Sequence, residues 1–125
     1  MRELIMSKNA PTVIGPYSPA IRSGKMVFCS GQVPLVPETG KLLEGSVDQQ
    51  TRQVMNNLKA VLAEAGMTLE NVVKTTIFLS DFNDFQAVNE AYAEYFSKPY
   101  PARSTVEVSR LPRDARIEIE AIAVT

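Results

Sequence analysis

A chain of 125 residues, 45% hydrophobic and 22% charged, has the length of one domain and can bury roughly two-thirds of the surface its unfolded form exposes. It contains no histidine and one cysteine, Cys29, which excludes hydrolysis by a serine or cysteine paired with a histidine base, an ordinary zinc or haem ligand set, and an intrachain disulfide. A net charge of −1 gives no general electrostatic footprint for nucleic acid, and no apolar run approaches the ~18 residues of a membrane span.

The segment from Met1 to Pro11 mixes charges of both signs and lacks the apolar centre of a secretory signal, so a cytoplasmic location is expected. Residues 26–33, bounded by Gly24 and Pro34, predict a strand, paired in a hairpin with a strand around 18–23. Val47, Val54, Leu58, Val61, Leu62 and Ala65 recur at helical spacing, with a capping box at Ser46 and Gln49 and a stop at Gly66. Residues 72–79 read as a long strand. A second helix is expected behind Asn83 and Gln86, carrying the stripe Phe85, Val88, Tyr92, Tyr95 and Phe96 until Pro99 and Pro101 end it. Residues 102–109 and 116–124 then predict a closing antiparallel pair around Leu-Pro-Arg-Asp. The expected order is β-β-α-β-α-β-β, an α+β fold in one domain over 1–125.

Right-handed crossovers put both helices on one sheet face. Alternation then assigns Val27, Cys29, Val73, Ile77, Val106, Val108, Ile117 and Ile119 to the covered side. Phe28, Ser30, Gln32, Thr76, Phe78, Arg103, Thr105, Glu107, Glu118, Glu120, Ile122 and Val124 fall on the other. That second set is too apolar to be simply wet and too polar to be a core, which suits a subunit interface with polar pockets, with a bare half-solvated sheet as the alternative.

Few side chains can carry chemistry. Arg103, early in its strand beside Pro101 and Ala102, has the planar fork that takes a carboxylate through two bonds, or it forms a salt bridge to Glu118 or Glu120. Glu118 and Glu120 share a strand face, where one can carry a proton or hold a water, or both can be solvated. Ser30 has no histidine to activate it and is expected to donate a hydrogen bond. Tyr17, in Ile-Gly-Pro-Tyr, is a packed loop anchor or a catalytic phenol. Arg103, Arg110, Arg113 and Arg116 read as a local basic loop. The six glycines form neither a dinucleotide fingerprint nor a phosphate loop, so no cofactor is expected.

The run Pro101-Ala102-Arg103-Ser104-Thr105-Val106-Glu107-Val108, through Leu111-Pro112, to Ile117-Glu118-Ile119-Glu120-Ala121-Ile122-Ala123-Val124 resembles the C-terminal signature of the Rid family, also called the YjgF family. Three further blocks agree in order: Ala10-Pro11 to Ile14-Gly15-Pro16-Tyr17-Ser18, Ser30-Gly31-Gln32-Val33-Pro34, and Val73-Lys74-Thr75-Thr76 through Asp84-Phe85 and Val88-Asn89. The resemblance implies a chorismate-mutase-like fold and a homotrimer with clefts between subunits. It implies cofactor-free hydrolysis of 2-imino acids, with Arg103 on the substrate carboxylate and Glu118 on the attacking water. Tyr17 and Ser30 would line the cleft, completed by the Gly31 backbone, Asn89 and the main chain at Thr105, where members of the imine-deaminating subfamily commonly have cysteine. A keto-acid-binding regulator, a deaminase of larger enamines such as aminomuconate, and an endoribonuclease or translation inhibitor are the competing functions.

Overall fold

The computed structural model describes residues 1–125. The hairpin expected at the start is present as β2 (Ala20–Ser23) and β3 (Met26–Gln32), preceded by a short strand that propensity did not reveal, β1 (Glu3–Ile5). A two-stranded ribbon, β4 (Leu35–Val36) and β5 (Lys41–Leu42), leads to α1 (Val47–Glu64). At its start the Gln49 side chain accepts from the Ser46 amide at 2.9 Å while Ser46 accepts from the Gln49 amide, the reciprocal cap that the sequence announced. Gly66, at φ +73°, follows the last turn.

After β6 (Val72–Leu79) a short 3-10 turn at Phe82–Asp84 precedes α2 (Phe85–Ala93). The cap differs from the expected Asn83 and Gln86: Asp81 accepts from the Asn83 amide at 2.9 Å and starts the turn, and α2 has no side-chain cap. The helix also stops at Ala93, short of Phe96. Strands β7 (Ala102–Glu107) and β8 (Ile117–Val124) complete the chain.

The six main strands form one mixed sheet in the order β1-β2-β3-β8-β6-β7. Here the closing antiparallel pair is corrected. β7 lies parallel to β6 at the edge, the product of a β6-α2-β7 crossover, while β8 runs antiparallel between β3 and β6. The core lies between the sheet and the two helices: Val54, Leu58 and Leu62 of α1 and Val88 of α2 meet Val27, Ile77, Ile117 and Ile119, all nearly or fully buried. The opposite face carries no helix.

Alternation assigned several residues to the wrong side. Arg103 pairs with Thr75, Thr105 with Ile77 and Glu107 with Leu79, so these three share the helix-covered side with the buried Thr75, Ile77 and Leu79. Val106 is exposed on the uncovered side beside Phe78. Alternation tells which residues share a face, but not which face is covered, and β7 turns its apolar side away from the helices. Val73 is the extra residue of a bulge between Val72 and Lys74 and points outward. A second bulge, between Cys29 and Gln32, adds one residue to β3, so Gln32 returns to the buried face opposite Ile119.

Candidate functional site

The expected site residues separate into two groups within one chain. The first is built around the β3 bulge. Gly31 lies there so close to β8 that a Cβ on it would stand 1.9 Å from Glu118 Oε2 and 2.7 Å from its carboxyl carbon. The absence of a side chain is what lets the carboxylate lie against this backbone. Half-buried in that position, Glu118 has its pKa raised above the usual carboxylate value, first by burial and then by the like charge of Glu120. The pair therefore shares a strand face as expected, with Glu118 partly sheltered and Glu120 exposed.

Beside them the Ser30 hydroxyl donates to the Ser18 carbonyl at 2.6 Å, and the Ser30 amide donates to the Pro19 carbonyl at 2.9 Å. Ser30 thus donates a hydrogen bond as expected, here to the chain's own backbone. With its proton committed to a backbone oxygen, Ser30 offers a ligand an acceptor rather than a donor. Tyr17 is more than half exposed, so its ring is not a packed anchor within the chain; it borders a concavity of about 390 Å³ with Ser18, Phe28 and Ser30. Cys29, next to Ser30, points into the core, and burial pushes its thiol up to about 12, which leaves it inert.

The second group stands at the β7 edge. Arg103, Asn89, Tyr92, Ala93, Tyr100 and Pro101 enclose a cleft of about 300 Å³. The guanidinium lies over two rings of α2, 5.1 Å from the centroid of Tyr92 and 5.7 Å from that of Phe85. It makes neither the salt bridge to Glu118 nor that to Glu120, because those carboxylates occupy the other sheet face. The other three arginines of the expected basic loop are engaged: Arg116 forks onto Asp84 at 2.8 and 3.2 Å, Arg110 meets Asp114 at 3.2 Å, and Arg113 donates to the Gly40 carbonyl at 3.2 Å. Thr105, two residues beyond Arg103 on the same side, has the chain's one buried side-chain oxygen without a hydrogen-bond partner.

The two groups cannot reach one small ligand in a single chain. Arg103 is level with Thr75 and Glu118 with Phe78, on strands two apart, which places their Cα atoms about 14 Å from each other, on opposite faces. Sequence reasoning missed Phe85, Tyr92 and Tyr100 as neighbours of Arg103, having read the aromatic stripe of α2 as core alone. The available signal was Thr75, a polar residue at a core position of β6 that only a polar neighbour could satisfy.

Residues 7–125 match the family described as Endoribonuclease L-PSP. A RutC family protein of Pyrococcus horikoshii is 54% identical over 123 residues, covering 98% of both chains. A protein of Salmonella typhimurium named 2-iminobutanoate/2-iminopropanoate deaminase is 48% identical over 127 residues, 99% of this chain and 98% of that one. Among solved structures, a Rid-family protein of unknown function from Yersinia pestis superimposes with a TM-score of 0.97 at 50% identity, covering each chain completely. The protein belongs to the Rid family, also described as the L-PSP or YjgF family.

Proposed function

We propose that the protein is a cofactor-independent deaminase that hydrolyses 2-imino acids such as 2-iminopropanoate and 2-iminobutanoate to 2-keto acids and ammonia, in clefts between the subunits of a homotrimer. The observation that carries this reading is the unpaired Arg103 fork at an open cleft, in a chain whose sheltered carboxylate Glu118 has a raised pKa. The Salmonella relative's name points to the same substrates. The separation of the two residue groups and the uncovered apolar sheet face support the trimer: a second copy laid on that face supplies the missing half of each cleft.

In such a cleft Arg103 takes the substrate carboxylate through two parallel bonds, and Asn89 and the main chain at Thr105 fix its orientation. The C=N carbon of an imine is already electrophilic, which is why so few side chains suffice. Glu118 of the facing subunit accepts a proton from water as the oxygen adds to that carbon of the N-protonated imine, giving a tetrahedral amino alcohol. Glu118 then returns that proton to nitrogen, the C–N bond breaks and ammonia leaves, while the hydroxyl gives its own proton to the freed Glu118 carboxylate, and from there to solvent, as the C=O bond forms. The Gly31 backbone and Tyr17 border the reacting atoms, and Ser30 accepts from the substrate N–H.

A coupled assay that generates 2-iminopropanoate in place and follows its disappearance with and without the protein tests the activity. A disappearance rate that the protein leaves unaltered refutes it. Light scattering should give three times the 13.8 kDa chain mass, and a stable monomer at micromolar concentration refutes the shared cleft. The family description favours one further assay, cleavage of RNA. Cleavage that persists in the Arg103→Ala, Glu118→Ala double variant would come from another site or a contaminant.

A further inference from the structure

A half-buried arginine is ordinarily steadied by an acidic neighbour, yet no carboxylate lies within salt-bridge distance of Arg103. An internal carboxylate here would occupy the fork that a substrate carboxylate needs. Aromatic faces hold a cation through the ring quadrupole and leave every N–H donor free, and two such faces lie within 6 Å of the guanidinium carbon.

We infer that Tyr92 is a positioning residue for Arg103: its ring, tied to Thr75 and aided by Phe85, seats the guanidinium while leaving the fork open to an anionic ligand. Tyr92 is buried, and its hydroxyl lies 2.7 Å from that of Thr75, itself 1% exposed. Thr75 is the residue paired with Arg103 across the β6–β7 ladder, so strand, ring and guanidinium form a closed triangle. The Phe96 ring packs at a tilt against that of Tyr92, with 4.8 Å between centroids. Two hydroxyls that satisfy each other fix the ring's tilt, which a phenylalanine and a valine in these places would not.

The inference rests on Arg103 being a carboxylate clamp, and the test reads that role without turnover. Pyruvate, which carries the carboxylate of the proposed product, is titrated into the intact protein by NMR. The Arg103 side-chain Nε–H resonance is followed as a signature of ring stacking. In the wild type that resonance should be displaced upfield. Tyr92→Leu should move it toward the free-arginine value and weaken pyruvate about tenfold, and Tyr92→Phe should weaken pyruvate about threefold with most of the displacement retained. A folded Tyr92→Leu protein with both readouts unchanged overturns the inference. Should that variant not fold, Phe85→Leu, which removes a less buried ring, decides by the same readouts with about threefold weakening expected. Wild-type protein that binds pyruvate but hydrolyses no imine would sink the deaminase reading and leave the seat standing.

Discussion

Replacing Arg103 separates a residue that serves substrate from one that serves the fold. In the structure its guanidinium makes no ion pair and lies over the rings of Tyr92 and Phe85. Arg103→Ala should therefore cost the fold about 1 kcal/mol of cation–π attraction, a fall of about 4 °C in Tm for a chain of this length. Binding is a different matter. Two charge-assisted hydrogen bonds to a carboxylate in a partly dry cleft are worth roughly 3 kcal/mol, so kcat/KM for 2-iminopropanoate should fall at least about a hundredfold. Arg103→Lys keeps the charge but replaces a planar fork by a point donor, and most of the loss should remain. The coupled imine assay, with thermal melts and light scattering on the same samples, reads all three quantities. Near-normal hydrolysis by Arg103→Lys would refute the two-bond clamp. Unfolding of Arg103→Ala would show that the arginine is structural after all.

Gly31→Ala should displace the Glu118 side chain, because the new Cβ would collide with three of its atoms; the carboxylate can swing away, so Tm should hold while activity falls at least about tenfold. In a Glu118→Ala background the same change should have no further effect on the residual rate, and an additive loss would count against the contact. The rate should fall as pH drops through the raised pKa of Glu118, since the ionised form is the base. Glu120→Gln, by removing the neighbouring like charge, should move that acid limb to lower pH, and an unmoved limb would contradict the coupling. Because the folded protein holds the Glu118 proton more tightly than the unfolded chain, stability is gained as pH falls through the raised value and lost above it; Glu118→Gln should accordingly melt higher at pH 7. Thr105→Val removes an unpartnered buried hydroxyl and should stabilise the fold by about 1 kcal/mol, with activity within about twofold of wild type if only the main chain meets substrate. A large loss of hydrolysis would assign the side chain a part.

Local features of the fold were legible because their causes are local. The Ser46 and Gln49 cap, the stop at Gly66 and the 3.6-residue periodicity between them act within a few turns, and α1 follows them closely. Residue identities also exposed the two carboxylates of β8 and the arginine of β7, the groups from which a site could be made. Pairing partners and faces were not legible in the same way. The positions of β7 and β8 depend on a crossover that sends α2 over the sheet and on a later strand inserting between two earlier ones, contacts between residues far apart in the chain. Two bulges, each one residue long, then reversed Gln32 and displaced Val73, because a period of two carries no record of an inserted residue. Arg103 and Glu118 look like neighbours when both strands are read by alternation alone. Only the tertiary structure placed them on opposite faces and set the arginine against the rings of α2, since which side of a strand is buried depends on what packs over it.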